Sequence, residues 1–491
     1  MNTKLLIVYT LLHTSLFGER IARPPVPYDP SDYEHASEEQ IEKFRDWKFG
    51  MRIHWGPYCL VDGKESHVLI PNRLNARKIH GDAQREFRYD YQQLYRSWNP
   101  TGFDAEEWID LIELGGCRFF TFTTRHHDGF SMFDTQTKVK RRFSYRNPDV
   151  PDEIEECDLS YSIMETPFGR DVTRELCDAA RKRGLGISLY YSHPDWYDAD
   201  FRIDERHWFQ DQNYTSETDP EGWNRMVNRH RQQLIELLSN YGRIDMISLD
   251  LWMPEIFYAD IVETQKAIRK IQPHVMFRNR GIGSYGDYYT PERTLGKSNR
   301  GKPWSVIYPC STNFSYMEND EYKPVSWIIS SLIDSVAKGG NFQVAFGPPP
   351  NGKWQQEVVD RMKTTGQWMK TNGEAIYETR PRSGGKGSFK EDGFAKQNGS
   401  WEASEIYFTR SKDYKTIFAL YIGEPAEAIR LSSIDPQEGA TMTLFGSQRE
   451  DPLEWRQTDD GLEINLPKDI ASITPGIAYA IEISLPTPYP E

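Results

Sequence analysis

A carboxylate at the end of an apolar run is the first candidate for chemistry in this sequence. Residues 243–252 read Arg-Ile-Asp-Met-Ile-Ser-Leu-Asp-Leu-Trp, and Asp250 stands where the apolar run ends. The continuous apolar character predicts a parallel strand that is covered on both faces. Barrel enzymes hold catalytic groups at the carboxyl ends of such strands, whereas Asp also commonly caps a following helix. Both interpretations of Asp250 stay open on this residue alone.

Histidines and tyrosines stand at the ends of three further predicted strands. His54 ends the first, His126 and His127 follow the second, and Tyr190 and Tyr191 end the third. A metal site needs further ligands, and no spacing in the sequence supplies a recognisable set. Hydrogen bonding to substrate hydroxyl groups is favoured for His126 and His127, because the polar residues around them leave little apolar face for a core histidine. For His54 alone a structural role is favoured.

Charged residues in two loops and at one strand end complete the candidates. Residues 62–86 carry turn residues, charge and little periodicity, which predicts a loop with Glu65 and His67 as its chemically interesting members. Loops after barrel strands shape the mouth of the active site. Arg280 ends a predicted strand, and Glu292 follows a proline shortly after it. Its position alone favours a solvent-exposed loop acid.

The elements that must position these residues alternate between strands and helices. About seven apolar runs are predicted as strands, with helical stretches between them, at residues 49–56, 117–124, 185–191, 243–250, 275–280, 304–308 and 341–346. This alternation favours an α/β fold of the (β/α)8-like TIM-barrel type over an open sheet. The barrel is expected to be imperfect, with an eighth strand distorted or missed.

The last part of the chain has a different pattern. From residue 407 onward, short alternating runs separated by turn residues predict an antiparallel β-sandwich. We therefore predict a signal peptide at residues 1–18, a barrel domain at 19–380 that carries the candidate site, and a C-terminal β-sandwich domain at 381–491. Nothing in the sandwich sequence indicates catalysis.

Composition limits the partners and the compartment. The net charge of −14 disfavours nucleic acid or an anionic membrane as the main partner. Lys4, the apolar run 5–12 and the small or polar residues after it resemble a secretory signal, so a secreted or periplasmic protein is expected. No other apolar stretch is long enough to span a membrane. The five cysteines form no CxxC pair, which argues against a zinc site and leaves one or two disulfides open.

Several of these residues lie in segments that resemble the α-L-fucosidases of glycoside hydrolase family 29. The resemblance covers roughly residues 40–381 in the family's order, and its His-His-Asp-Gly-Phe and Gly-Gly-Asn segments are fairly specific. The matching segments are Arg52-Ile-His-Trp-Gly56, Thr123-Thr-Arg-His-His-Asp-Gly-Phe130, Tyr190-Tyr-Ser192, Ile244-Asp-Met-Ile-Ser-Leu-Asp250, Gly286-Asp-Tyr-Tyr-Thr-Pro-Glu292, Val336-Ala-Lys-Gly-Gly-Asn341 and Asn372-Gly-Glu-Ala-Ile-Tyr-Glu-Thr-Arg-Pro381.

The resemblance implies a retaining exo-glycosidase that removes terminal α-L-fucosyl residues from a fucose-containing oligosaccharide or glycoconjugate, without a cofactor or metal. Asp250 falls on the family's nucleophile position, and Glu292 falls on a segment that holds the acid/base in some relatives. Such an enzyme needs an ionised carboxylate under the anomeric carbon and a second carboxyl, roughly 5 to 5.5 Å away, that protonates the leaving oxygen. The residues matching sugar-binding positions are His54, Glu65, His126, His127, one or both of Tyr190 and Tyr191, and Arg280.

Departures from the family's pattern keep alternatives open. Tyr308 and Pro309 take the place of a Trp-Glu pair whose Glu is the acid/base in some relatives, and Ser66 stands where a Trp is usual. Ser248 and Leu249 stand where relatives have an aromatic residue near the nucleophile. One alternative is a related L-sugar glycosidase acting on an α-L-galactoside or on a sulfated or otherwise substituted fucoside. The other is a sugar-binding barrel protein that has lost efficient proton transfer.

Overall fold

The structure is a computed structural model that describes residues 25–489, apart from residues 63–64, 71–76, 145–153, 208, 296–301, 383–389, 448–451 and 471–476. The predicted signal peptide, residues 1–18, lies outside the described residues. Among the residues that are described, no helix has the length and apolar character needed to cross a membrane. All five cysteines are described and all are unpaired.

Helices and strands alternate through the first three quarters of the described chain. The helices are α1 (Glu38–Trp47), α2 (Asp82–Gln93), α3 (Ala105–Leu114), α4 (Val172–Lys182), α5 (Pro220–Asn240), α6 (Tyr258–Ile271), α7 (Val325–Ala337) and α8 (Gln356–Asn372). The strands of this part are β1 (Phe49–Ile53), β2 (Phe119–Arg125), β3 (Val139–Phe143), β4 (Ile154–Leu159), β5 (Gly186–Ser192), β6 (Met246–Asp250), β7 (Met276–Phe277), β8 (Ser305–Pro309) and β9 (Asn341–Phe346).

Seven of these strands form one parallel sheet in the order β7-β6-β5-β2-β1-β9-β8. The strands β1, β2, β5, β6 and β9 are buried at every position, as expected for parallel strands covered by helices. Aspartates start several of the covering helices: Asp104, Asp171 and Asp219 each accept a backbone N–H of the first helical turn. This is the usual role of Asp at a helix N-cap. The predicted TIM-like barrel is confirmed.

An irregular segment closes the ring between β7 and β8. Tyr288 makes a parallel bridge with Arg278 next to β7, and Tyr289 and Glu292 make parallel bridges with Trp304 and Ile307. Residues 288–292 therefore occupy the place of the eighth strand without forming a continuous ladder. This is the distorted eighth strand that the sequence pattern left open, and it carries Glu292.

Two local predictions from the pattern of residues 62–165 were wrong. Residues 82–86, assigned to a loop, begin helix α2, whose Arg88 and Tyr91 are buried against the barrel. Residues 138–165, assigned to an irregular excursion, contain the antiparallel pair β3 and β4. In both segments tertiary packing of polar or charged residues outweighs weak local periodicity.

The C-terminal part of the described chain forms a curled antiparallel sheet. Its strands are β10 (Arg380–Pro381), β11 (Lys390–Gln397), β12 (Ser400–Arg410), β13 (Thr416–Ile422), β14 (Ala428–Leu431), β15 (Thr441–Leu444), β16 (Trp455–Thr458), β17 (Gly461–Asn465) and β18 (Ala478–Ser484). They pair in the order β15-β18-β13-β12-β11-β14-β17-β16, with β10 on β12. The backbone N–H of Leu453, before β16, donates to Met442 in β15, so the two edges approach each other. The predicted antiparallel C-terminal fold is confirmed.

Candidate active site

The candidate residues converge at the carboxyl edge of the parallel sheet. His54 follows β1, His126 and His127 follow β2, and Tyr190 lies near the end of β5. Asp250 ends β6, and Arg280 follows β7. Because parallel strands place their carboxyl ends at one edge, these residues, far apart in sequence, lie together.

Asp250 is held at a fixed position by three neighbours. The Tyr190 hydroxyl donates to Oδ2 at 2.7 Å, and Arg280 Nη1 donates to Oδ1 at 2.7 Å. Arg278 Nη1 lies 3.5 Å from the same Oδ1. Burial acts to raise the pKa of Asp250, but the Arg280 and Arg278 charges outweigh it and hold the pKa well below its usual value. Asp250 is therefore ionised at neutral pH.

Glu292 shares Arg280 with Asp250. Arg280 Nη2 lies 2.8 Å from Glu292 Oε2, while Nη1 of the same guanidinium binds Asp250. Arg278 Nη2 lies 4.0 Å from Glu292 Oε2. The Glu292 side chain is 34% exposed and that of Asp250 is 13% exposed. The planar guanidinium thus places a buried and a one-third exposed acidic side chain next to each other.

Three histidines next to these acids are buried and neutral. His54 Nδ1 lies 3.0 Å from the Thr123 hydroxyl, and its Nε2 accepts a hydrogen bond from Arg52 Nε at 3.0 Å. Burial lowers the pKa of His126 to about 3 and holds those of His54 and His127 well below the usual value. Neutral imidazoles offer one donor and one acceptor each, which suits hydroxyl groups.

His127 has unused hydrogen-bonding capacity. Its side chain is fully buried, and neither ring nitrogen has a hydrogen-bond partner among the residues that the structure describes. An unpaired buried polar group is costly, so a ligand that fills this capacity gains affinity. The Ser66 hydroxyl lies 2.5 Å from His126 Nδ1. The other ring nitrogen of His126, Nε2, is therefore the one that can bind a ligand.

Glu65 lies beside these histidines but is held as a structural anion. Its Oε1 accepts the backbone N–H groups of Phe314 at 2.8 Å and Ser315 at 3.2 Å. Its Oε2 lies 3.4 Å from His67 Nδ1. Burial acts to raise the pKa of Glu65, but His67 and the backbone amide outweigh it and lower the pKa. A carboxylate that is held ionised in this way has no proton to donate.

The structure separates the two adjacent tyrosines that the sequence grouped. Tyr190 reaches Asp250, whereas the Tyr191 hydroxyl donates to Gln233 on helix α5 at 3.0 Å. Neighbouring residues of a strand point to opposite faces of the sheet. Tyr191 therefore lies outside the group of residues that surround Asp250.

Sequence reasoning missed two arginines of the site. Arg278 is fully buried, and its guanidinium faces both Asp250 and Glu292. Arg52 is buried, donates to His54 and lies with its guanidinium 4.7 Å from the centre of the Tyr190 ring. Each of these arginines stands two residues before a predicted site residue, Arg278 before Arg280 and Arg52 before His54. In an extended chain, residues two apart point to the same side, so this spacing could have indicated both arginines.

A third histidine joins the pair that follows β2. His67, His126 and His127 each offer a ring nitrogen, and these three atoms lie within 4.8 Å of one another. The sequence spacing did not show this set, because His67 comes from the loop after β1.

Two family models match this chain, one over the barrel and the other over the C-terminal sheet. A family model described as Alpha-L-fucosidase matches residues 18–374, and one described as Alpha-L-fucosidase C-terminal domain matches residues 397–484. Tissue alpha-L-fucosidase of Homo sapiens is 24% identical over 489 residues, which are 95% of this chain and 93% of that protein. Alpha-L-fucosidase of Dictyostelium discoideum is 23% identical, covering 91% and 90%.

Solved structures match the whole architecture. Alpha-L-fucosidase isoenzyme 1 from Paenibacillus thiaminolyticus is 25% identical with a TM-score of 0.71, covering 91% of this chain and 99% of that one. A trapped covalent intermediate of a family 29 alpha-L-fucosidase from Bacteroides thetaiotaomicron, in complex with 2-fluoro-fucosyl fluoride, is 20% identical with a TM-score of 0.69. It covers 94% of this chain and 99% of that one.

Proposed function

This chain belongs to the α-L-fucosidase family, glycoside hydrolase family 29, and on that premise we propose that it is a retaining exo-α-L-fucosidase with Asp250 as nucleophile and Glu292 as general acid/base. The observation that carries the proposal is Arg280, whose two terminal nitrogens bind one carboxylate each. Two carboxyl groups on one pocket wall are the minimum machinery of glycoside hydrolysis.

Asp250 has the properties of the nucleophile. It is ionised at neutral pH, and Tyr190 and Arg280 each fix one carboxylate oxygen. Fixing the carboxylate before the reaction removes the entropic cost of aligning it with the anomeric carbon. The same contacts disperse negative charge when Asp250 departs from the sugar in the second step.

Glu292 has the exposure that a proton carrier needs. Its side chain is one-third exposed, so solvent reaches it, and it lies beside Ile307 of β8 through a parallel bridge. In the first step its carboxyl proton goes to the leaving glycosidic oxygen as Asp250 bonds to the anomeric carbon. In the second step the Glu292 carboxylate takes a proton from water, the water oxygen bonds to the anomeric carbon, and Asp250 is released.

The surroundings favour Glu292 over the other acids near the pocket. Tyr308 and Pro309 offer no carboxyl at the end of β8, and Tyr308 packs on Trp327 with ring centres 5.1 Å apart. Glu65 is an acceptor for backbone amides. This arrangement supports an enzyme over a sugar-binding protein that has lost proton transfer, because both required acids are present and adjacent.

The histidines and Arg280 would hold the sugar. Neither ring nitrogen of His127 has a hydrogen-bond partner among the described residues, and His54 and His126 lie together with ring centres 5.5 Å apart. Such groups distinguish hydroxyl positions on an L-fucose ring, since a buried donor left unpaired by the wrong sugar costs affinity.

The test is hydrolysis of an aryl α-L-fucoside by the wild type, Asp250→Ala and Glu292→Ala, each with and without azide. Without the nucleophile, azide attacks the substrate directly and yields the inverted β-fucosyl azide. Without the acid/base, azide attacks the covalent intermediate and yields the α-fucosyl azide. Glu255→Ala, an exposed acid in the loop after β6, is the control and should keep wild-type activity.

Two outcomes would redirect the proposal. An inactive wild type would exclude the simple fucoside substrate and lead to L-galactosides and sulfated fucosides. Full activity of Glu292→Ala would remove Glu292 from the mechanism.

We also propose that the enzyme is exported and that the N-terminal residues 1–18 are removed. The apolar run after Lys4 supports this. Expression of the full chain in a secreting host, with the N-terminus of the recovered protein sequenced, is the test. An intact Met1 on protein retained in the cytoplasm would contradict it.

A further inference from the structure

We propose that His67, His126 and His127 form a binding site for a divalent transition-metal ion, with Zn²⁺ as the reference case, and that the bound ion and the sugar exclude each other. His67 and His126 lie in different segments of the chain, and the ring nitrogens of all three residues lie within 4.8 Å of one another. Three imidazoles are a known protein ligand set for Zn²⁺, which leaves a fourth position for water.

The three imidazole rings lie close together. The His67 ring centre lies 5.0 Å from that of His127 and 5.6 Å from that of His126, and the two neighbouring rings are 4.1 Å apart. Zn–N bonds of ~2.0–2.1 Å in a tetrahedral site put nitrogens about 3.4 Å apart. Closing the cluster therefore needs a movement of at most about 1.4 Å, and His67, 30% exposed on a short 3-10 turn, is the residue that can make it.

His127 supplies the observation that points to a ligand. It is fully buried, and both of its ring nitrogens lack a hydrogen-bond partner among the described residues. A coordinated metal would satisfy one of them. The sugar hydroxyl assigned to His127 would satisfy the same atoms, which is why the two occupants compete.

A hydrogen bond orients the His126 ring as a metal ligand requires, and an acid lies close to His67. The Ser66 hydroxyl lies 2.5 Å from His126 Nδ1, so Nε2 is the nitrogen left for a metal. Glu65 Oε2 lies 3.4 Å from His67 Nδ1. Hydrogen bonding of the second ring nitrogen to a hydroxyl or carboxylate is the usual support of a histidine ligand.

Two consecutive residues of the loop after β1 contribute to the site. The Ser66 hydroxyl contacts His126 Nδ1, and His67 supplies an imidazole.

The first experiment titrates Zn²⁺ into the tag-free full chain by calorimetry, since a histidine tag would bind the ion itself. The wild type should show one saturable site per chain, and His67→Ala should bind at least tenfold more weakly. His80→Ala, an exposed histidine in the segment before α2, is the matched control and should bind like the wild type. No saturable binding by the wild type, or unchanged binding by His67→Ala, would overturn the proposal.

Two further ions identify the ligand type. Co²⁺ should give visible d–d absorption of a nitrogen-ligated, four- or five-coordinate ion in the wild type, and His67→Ala should lack it. Mg²⁺, which prefers oxygen ligands, should give no heat. Equal binding of Mg²⁺ and Zn²⁺ would contradict an imidazole site.

The competition between ion and sugar rests on the proposed function and has its own readout. Zn²⁺ should raise the KM for an aryl α-L-fucoside without changing kcat in the wild type, and the effect should be at least tenfold weaker in His67→Ala. Zinc that binds by calorimetry but leaves KM unchanged would overturn the competition alone. A chain that binds zinc but hydrolyses no fucoside would contradict the proposed function and leave the metal site standing.

Discussion

Asp250 ends a regular strand, whereas Glu292 lies on a segment that joins its neighbours through isolated bridges. Asp250 is 13% exposed and has a strongly lowered pKa, while Glu292 is 34% exposed at the rim. Arg280 binds both. One guanidinium therefore serves two acids with different requirements. The nucleophile needs a fixed position and permanent charge, and the proton carrier needs contact with solvent.

Removing the charge of the buried acid should have the largest effect. Asp250→Asn keeps the shape of the side chain but has no anionic oxygen to attack the anomeric carbon. We expect kcat/KM for an aryl α-L-fucoside to fall at least about 10⁴-fold, measured by steady-state kinetics with circular dichroism as the check on folding. A loss below tenfold would contradict the nucleophile assignment.

Removing the carboxyl group of Glu292 should lower kcat/KM by a smaller factor, which depends on the leaving group. Glu292→Gln cannot donate a proton, so we expect about 10²–10⁴-fold loss for a poor leaving group and far less for an activated aryl group that departs without protonation. The measurement is kcat/KM across aryl fucosides of graded leaving-group acidity. An equal loss for all substrates would remove the distinction between the two acids.

The neighbouring tyrosines test how tightly Asp250 is held. Tyr190→Phe removes a hydrogen bond to the carboxylate, so kcat/KM should fall about 10- to 100-fold. The hydrogen bond helps to lower the pKa of Asp250, so its loss raises that pKa. Because activity needs ionised Asp250, the acid limb of the pH profile should move to higher pH. The Tyr191 hydroxyl binds Gln233 instead. Tyr191→Phe should therefore leave the acid limb of the pH profile unchanged.

Hydrogen exchange gives the smallest expected contrast. Residues 246–250 pair with β5 at five positions, whereas residues 288–292 make isolated bridges. Amides of 288–292 should therefore exchange faster than those of 246–250, by about tenfold or more. Equal protection of the two segments would mean that the eighth strand is as regular as β6.

The same contrast marks what the sequence can predict. The Asp250 strand was predictable because its continuous apolar run has one structural solution, a buried parallel strand. Residues 288–292 contain polar residues and a proline and lack that signal, so their pattern alone predicts a loop, and only the family resemblance points to Glu292. The segment is recognised as a strand only through its neighbours β7 and β8.

Side-chain direction and long-range contacts are the other features of the site that the sequence does not predict. The sequence placed Tyr190 and Tyr191 at one strand end, but the face that each occupies depends on the register of β5. Arg278 was missed because a buried arginine is exceptional without its partners, and those partners come from β6 and the eighth strand. His67 was noticed in the sequence, but its approach to His126 and His127 depends on how the loop after β1 folds.

Covalent labelling identifies the nucleophile directly. The wild type is incubated with 2-fluoro-fucosyl fluoride, which slows breakdown of a glycosyl-enzyme, then digested and analysed by peptide mass spectrometry. We expect one fluorofucosyl group per chain, on the peptide that contains Asp250, and none in Asp250→Asn. A label on Glu292, or turnover of fucosides without any covalent adduct, would contradict it.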